Sequence, residues 1–201
     1  TVVFDLDDTL YSENDYVLSG ISFLEEFIYK IYKIRLEGKL LNAYDNGNKD
    51  FLDLATKILK IPEISKESLL WAYRLHDPNI KLSDDIEETL SLLKKKKAKI
   101  IILTDGRSIT QRLKINALGL NHLPNYISED FNSEKPSKKR FIQIEKDFPS
   151  KKYVYIADNP KKDFIAPEYL NWICIYADWV KNKIYKVNKS DMPSIKLDSP
   201  K

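Results

Sequence analysis

The apolar residues of this chain gather in short runs that are typical of buried β-strands. Four runs are rich in Val, Ile and Tyr and almost free of polar residues: Thr1–Leu6, Lys99–Leu103, Tyr153–Ile156 and Trp172–Tyr176. Tyr126–Ser128 is a weaker fifth. Strands of a parallel sheet are buried on both faces, so continuous apolar runs of this kind predict parallel strands.

Helical patterns separate the later strands. Ser83 stands at an N-cap position, and apolar residues then recur on one helical face at Ile86, Leu90 and Leu93. Three more helical patterns follow: Ile109 to Ala117 with Gly119 behind it, Phe141 to Phe148 after Ser137, and a segment from near Pro160 to about Leu170. Alternating strands and helices predict a parallel sheet with right-handed crossovers.

The stretch from about residue 13 to residue 82 has only helical patterning, with one long apolar face running from Val17 to Ile31 and further helical stretches near Lys49–Leu59 and Ser65–Leu75. We therefore predict an α/β fold, a doubly wound, Rossmann-like parallel sheet core with a helical cap inserted after strand 1. The core comprises residues 1–12 and 83–201, and the cap comprises residues 13–82. From about residue 181 onward we expect an irregular arm with three scattered anchors, Tyr185, Met192 and Ile195.

Composition narrows the classes of partner. The 201 residues are 43% hydrophobic and 31% charged with a net charge of +3, which is too small to favour a nucleic-acid partner. No apolar run approaches the roughly 18–20 residues of a membrane span, so we expect no membrane partner. The lone Cys174 lies in an apolar run and predicts a core residue of a cytoplasmic protein. We make no prediction of oligomeric state.

Polar residues that could take part in catalysis or ligand binding follow the predicted strands. Asp5 and Asp7 end the first apolar run, Thr104 and Asp105 follow the second, and Asp158 follows the Tyr153–Ile156 run. The carboxyl ends of parallel strands meet at one edge of the sheet, where open α/β sheets bind ligands. Carboxylates, a hydroxyl and a nearby cation suit phosphoryl transfer, in which a site positions groups and neutralises charge.

The order and spacing of these residues resemble the haloacid dehalogenase superfamily of aspartate-nucleophile phosphohydrolases. The resemblance rests on Asp5-Leu6-Asp7-Asp8-Thr9, on Thr104, on Lys135, and on Asp158 with Asp163. It covers essentially the whole chain, and the helical insert resembles the type-one (C1) cap of subfamily I. Ala157 and Ser137 depart conservatively from the commonest pattern of the family, in which glycine and a second proline stand there.

The resemblance implies roles for the first motif. Asp5 would attack phosphorus and form an aspartyl-phosphate, and Asp7 would act first as general acid and then as general base. The acid role requires a protonated Asp7, and we expect a neighbouring carboxylate to raise its pKa. Mg²⁺ would be held by Asp5, the backbone carbonyl of Asp7 and Asp158. Asp8 is expected to have a structural role.

The same resemblance implies roles for the other motifs. Thr104 would bind a phosphoryl oxygen, helped by the backbone N–H groups of Leu6 and Asp105. Lys135 would keep Asp5 ionised and neutralise the phosphoryl charge. Asp163 would orient Lys135 or a metal-bound water from behind the ligands.

Specificity is expected to come from the cap. Arg74 and His76 lie where the insert returns to the core and either could bind a leaving group, although a solvent-facing Arg and a hydrogen-bonded hinge His are equally compatible with the sequence. The predicted activity is a Mg²⁺-dependent phosphatase for a small phosphorylated metabolite, such as a sugar phosphate or a nucleotide. The alternatives are a phosphomutase of the same superfamily and a non-catalytic binding or regulatory protein on this fold.

Overall fold

The computed structural model of the chain describes residues 1–180, 193 and 195–200. Within them, six parallel strands form one sheet: β1 (Val2–Phe4), β2 (Ile100–Thr104), β3 (Asn125–Ile127), β4 (Val154–Ala157), β5 (Ile173–Ala177) and β6 (Ile195–Leu197). Their order in the sheet is β3-β2-β1-β4-β5-β6. The predicted doubly wound α/β core is confirmed.

Nine helices accompany these strands in the described part of the chain: α1 (Glu13–Tyr32), α2 (Lys39–Asp45), α3 (Phe51–Leu59), α4 (Ser65–Arg74), α5 (Asp84–Lys95), α6 (Ser108–Ala117), α7 (Ser128–Phe131), α8 (Lys139–Asp147) and α9 (Ile165–Tyr169). Ser83 caps α5 as predicted, because its hydroxyl accepts a hydrogen bond from the Ile86 N–H at 3.4 Å. None of these helices combines the length and apolar character needed to cross a lipid bilayer.

The strand order reverses at β1, which pairs with β2 on one side and with β4 on the other. Phe4 is in register with Ile102 of β2 and with Ile156 of β4, so the residues after these strands emerge side by side. Helices diverge to opposite faces at such a reversal and leave a crevice at the carboxyl ends of the strands. The fold therefore places the ends of β1, β2 and β4 at one crevice.

The chain divides into two compact units. One unit contains Thr1–Glu13 and the described residues from Lys81 onward, and the other contains Asn14–Ile80. The first has a core of strand residues and residues of α8, including Val3, Ile101, Phe141 and Tyr155, all fully buried. The second is all-helical, with a separate apolar core that includes Ile21, Leu24 and Ile28 of α1. The role of the helical unit as a cap stays a prediction.

Several details of the predicted elements are wrong. Ile195 begins strand β6, which pairs with β5, and is not part of an irregular arm, while the predicted anchors Tyr185 and Met192 lie outside the described residues. Ile31 is 61% exposed and does not belong to the buried face of α1. The segment from Pro160 forms a tight turn before α9 begins at Ile165, since the Asp163 N–H donates to the Asn159 carbonyl at 3.0 Å.

Candidate active site

A cavity of about 290 Å³ lies at the carboxyl ends of β1, β2 and β4. It is lined by residues of the sheet-containing unit alone: Asp5, Asp7, Asp8, Glu13, Thr104, Asp105, Lys135, Asp158, Asn159 and Lys162. Most of the residues singled out in the core motifs therefore lie together, although up to 153 positions separate them in the sequence. A space of this size suits a phosphoryl group with a small organic substituent.

Lys135 lies at the centre of a buried charge network beneath the cavity. Its ammonium is 2.7 Å from a carboxylate oxygen of Asp163 and 3.0 Å from one of Asp5, and it donates to the Tyr155 hydroxyl at 3.2 Å. Burial alone would lower the pKa of Lys135, but the two carboxylates outweigh it and hold that pKa well above its ordinary value. Lys135 is therefore a permanent cation facing Asp5.

Asp5 is almost fully buried next to this cation. Burial raises its pKa to about 6 against the opposing effect of Lys135. The carboxyl is therefore mainly ionised at neutral pH, as a nucleophile or a metal ligand must be.

Asp7 is held by three side chains. One carboxylate oxygen accepts from the Tyr11 hydroxyl at 2.5 Å and from the Lys114 ammonium at 2.9 Å, and the other accepts from the Gln111 amide at 2.9 Å. Burial alone would raise the pKa of Asp7, but Lys114 and these hydrogen bonds outweigh it and lower the pKa. The expected rise in the pKa of Asp7 is therefore wrong. The expectation did not include Lys114, because the sequence alone does not show that this lysine lies next to Asp7.

Gln111 and Lys114 were not predicted to be part of the site. They lie on α6, and the Gln111 amide nitrogen also donates to the Thr104 hydroxyl at 2.7 Å. Their signal in the sequence was weak, since polar residues three apart on a helix are usually solvent-exposed. Both are buried here.

Arg140 is a third buried residue that was missed. Its guanidinium donates to the Thr104 carbonyl at 2.7 Å and to the Tyr126 carbonyl at 3.1 Å, and it forms an ion pair with Asp105. The Asp105 carboxylate also accepts from the Lys135 backbone N–H at 3.2 Å. Asp105 thus organises the loop with its side chain, which leaves its backbone as the part available to a ligand.

Asp158 and Asp163 follow β4 and are buried. Carboxylate oxygens of Asp5, Asp158 and Asp163 all lie within 4.8 Å of one another. Asp163 accepts from the Asn159 backbone N–H at 2.9 Å and pairs with Lys135, so it is already engaged. Asp5 and Asp158 are therefore the better pair of direct ligands, and an all-oxygen set of this kind fits Mg²⁺ better than Zn²⁺.

Asp8 and Glu13 complete the acidic lining. Asp8 has a left-handed backbone with φ of 52°, and its carboxylate accepts from the Glu13 N–H at 2.9 Å. This bond ties the loop after β1 to the start of α1 and supports the structural role predicted for Asp8. Burial, followed by the nearby Asp7 charge, raises the pKa of Glu13 to about 7.

The two residues predicted to bind substrate from the cap lie in the helical unit. His76 is buried, with Nδ1 2.6 Å from the Tyr73 carbonyl and Nε2 3.2 Å from the Ser19 hydroxyl. His76 is thus hydrogen-bonded within the helical unit, while its role as a hinge residue or as a substrate ligand stays a prediction. Arg74 ends α4 with its guanidinium 5.5 Å from the centre of the Trp71 ring, and its role in substrate binding stays a prediction.

The sequence is similar to those of known hydrolases. A sequence model of haloacid dehalogenase-like hydrolases matches residues 1–170. The chain is 23% identical to the glyceraldehyde 3-phosphate phosphatase of Methanopyrus kandleri over 222 aligned residues, covering 100% of this chain and 93% of the relative.

Two solved structures have the same fold at low sequence identity. The magnesium-bound HAD-hydrolase YfnB from Bacillus subtilis gives a TM-score of 0.67 at 16% identity, covering 99% of this chain and 94% of that one. A HAD phosphatase from Thermococcus onnurineus gives a TM-score of 0.62 at 19% identity, covering 100% and 94%.

Proposed function

Since the chain belongs to the haloacid dehalogenase-like hydrolases, we propose that it is a Mg²⁺-dependent phosphatase that acts on a small phosphorylated metabolite through an aspartyl-phosphate. The observation that supports this most is the pairing of Asp5 with the buried cation Lys135 at 3.0 Å. A carboxylate kept ionised at the end of a central strand is suited to attack phosphorus.

In the first step a carboxylate oxygen of Asp5 forms a bond to phosphorus while the bond from phosphorus to the leaving oxygen breaks. The leaving alkoxide takes a proton from Asp7, which therefore has to be protonated in the substrate complex even though Lys114 lowers its pKa in the free protein. The negative charge of a bound phosphoryl group would raise that pKa. In the second step Asp7 takes a proton from water, the water oxygen bonds to phosphorus, and the bond from phosphorus to Asp5 breaks. Inorganic phosphate leaves, and Asp5 and Asp7 return to their starting forms.

The developing charge on the phosphoryl oxygens needs donors around it. Lys135 supplies a fixed cation, Thr104 a hydroxyl, and the backbone N–H groups of Leu6 and Asp105 are the proposed remaining donors. Arg140 donates to the Thr104 carbonyl at 2.7 Å, which fixes the end of β2, and the Gln111 amide donates to the Thr104 hydroxyl at 2.7 Å. Preorganised donors of this kind need no rearrangement during the reaction.

Asp5, Asp158 and the backbone carbonyl of Asp7 are the groups that would hold Mg²⁺. The ion would supply positive charge that lets an anionic phosphoryl group approach the Asp5 carboxylate. Asp163 would act behind these ligands by holding Lys135 at 2.7 Å.

The proposed substrate is a small phosphate monoester, such as a sugar phosphate or a nucleotide. The cavity of about 290 Å³ supports a small substrate, as does the likeness to a glyceraldehyde 3-phosphate phosphatase. The single cysteine, Cys174, is buried, and a lone core thiol is typical of a cytoplasmic protein.

A panel of phosphorylated metabolites tests the proposal. Purified protein should release inorganic phosphate from p-nitrophenyl phosphate and from at least one sugar phosphate or nucleotide in the presence of Mg²⁺. EDTA should stop the release, and added Mg²⁺ should restore it. A folded protein that is inert across the whole panel would favour the alternative of a binding or regulatory protein.

A further inference from the structure

Lys114 is a buried lysine with no part in the steps described above. It lies on α6, yet its ammonium is 2.9 Å from the carboxylate of Asp7, 107 positions earlier in the sequence. The Lys114 side chain is only 5% exposed. A lysine is rarely buried unless it is paired, and the ion pair with Asp7, with the Glu13 carboxyl nearby, stabilises it in this position.

Gln111 holds the same carboxylate from one turn earlier on α6. Its amide nitrogen donates at 2.9 Å to the Asp7 oxygen that Lys114 does not contact, and at 2.7 Å to the Thr104 hydroxyl. Residues i and i+3 of a helix lie on one face. A single helix therefore contacts both oxygens of Asp7 and links them to the end of β2.

The loop before α6 is shaped to admit this contact. Gly106 has φ of 142°, in a region that side chains rarely adopt, and a Cβ there would lie 3.1 Å from two side-chain carbons of Gln111. Glycine therefore gives the Gln111 side chain room to pass toward Asp7 and Thr104.

Charge compensation alone does not require this arrangement. A single cation would neutralise a buried carboxylate, as Lys135 does for Asp5, whereas Asp7 has both oxygens fixed by donors from three side chains. Proton transfer requires the carboxyl group to stay within hydrogen-bond reach of the reacting oxygen. An arrangement that fixes both oxygens limits rotation of the carboxylate.

We propose that Lys114, together with Gln111, is a positioning residue that holds the Asp7 carboxylate where it protonates an alkoxide leaving group. This inference rests on the proposed phosphatase function. The effect of these two residues should depend on the leaving group, because the alkoxide of an alkyl phosphate needs a proton. Aryl phosphates with stable leaving groups do not need it.

Comparing two leaving groups tests this role. The value of kcat/KM reports the steps up to release of the leaving group, so it separates the protonation by Asp7 from the later attack of water. Lys114 also lowers the pKa of Asp7, so its removal would by itself favour the protonated acid and raise the rate for an alkyl phosphate. A positioning role predicts the opposite: Lys114→Met should lower kcat/KM for an alkyl phosphate such as glyceraldehyde 3-phosphate by about 100-fold or more, the range of general acid catalysis. The same variant should change kcat/KM for p-nitrophenyl phosphate by much less.

Gln111→Met provides an independent variant that keeps the cation, and it should shift the two substrates in the same unequal way. Arg112→Met is the matched control, because Arg112 lies on the same helix in a half-exposed ion pair with Asp130; it should leave both rates unchanged. Thermal unfolding of each variant checks that it is folded.

The outcomes separate this inference from the proposed function. An equal loss for both substrates in Lys114→Met and Gln111→Met would assign the two residues a purely structural role and overturn the inference. Unchanged kcat/KM values for both substrates, or a rise for the alkyl phosphate in Lys114→Met, would also overturn the inference while leaving the phosphatase function intact. A wild-type protein inactive on every phosphate would overturn the proposed function and this assignment with it.

Discussion

Lys135 lies 0.3 Å closer to Asp163 than to Asp5, with nitrogen–oxygen distances of 2.7 Å and 3.0 Å. Asp163 is fully buried, so water could not solvate Lys135 in its place if this ion pair were lost. The cation that faces the proposed nucleophile is thus held from behind by a second carboxylate. Loss of that carboxylate should affect both the fold and the site.

Asp163→Asn should therefore destabilise the protein by about 3 kcal/mol, the usual cost of breaking a buried ion pair. Urea denaturation at neutral pH in EDTA measures this effect without contributions from metal binding. Asp130→Asn is the matched control, since Asp130 pairs with Arg112 at the surface, and it should cost less than about 1 kcal/mol. Equal losses of unfolding free energy in the two variants would contradict a larger contribution of the buried Lys135–Asp163 pair to stability.

Asp105 should make the free energy of unfolding depend on pH. Burial alone would raise its pKa, but Lys135 and Arg140 outweigh burial and lower it. A carboxyl whose pKa is lower in the folded than in the unfolded protein stabilises above the unfolded pKa, and that contribution is lost as the pH falls through the folded pKa.

Asp105→Asn should therefore cost the most free energy of unfolding at pH 7, with the difference from wild type shrinking below about pH 4, the pKa of an unperturbed Asp. Denaturation curves for both proteins at neutral and acidic pH provide the measurement. A difference that grows as the solution is acidified would have the wrong sign for this account.

His76 is expected to act through the fold of the helical unit. Besides its two hydrogen bonds, its ring lies 5.0 Å from the ring of Tyr16 and 5.7 Å from that of Phe23. His76→Ala should lower stability by about 1–3 kcal/mol and leave KM unchanged for the folded enzyme. Arg74→Ala is the comparison on the neighbouring turn; it should change stability by less than about 0.5 kcal/mol. A KM that rises in a stable His76 variant would instead support direct substrate binding.

The strand ends could be predicted from the sequence because each combines an apolar run with a reactive residue directly after it. Asp5, Thr104 and Asp158 required only the rule that parallel strands end at one edge. Strand β6 was missed because it has three residues, all exposed, and so lacks the apolar run on which the prediction relied.

The buried cations Lys114 and Arg140 could not be predicted, for a different reason. Each is one charged residue on an amphipathic helix, and such residues usually face solvent. Their partners Asp7 and Asp105 lie 107 and 35 positions away, and only the packing of helices against the sheet brings them together. The lowered pKa of Asp7 therefore follows from tertiary contacts that local patterns do not encode.

The central claim is that Asp5 becomes phosphorylated during turnover. Wild-type protein mixed with p-nitrophenyl phosphate and Mg²⁺, quenched in acid and digested, should yield a phosphoryl adduct on the peptide that contains Asp5, as located by mass spectrometry. Asp5→Asn, which keeps the size of the side chain, should show neither adduct nor phosphate release while remaining folded. Full activity in Asp5→Asn, or an adduct on a different residue, would contradict the account.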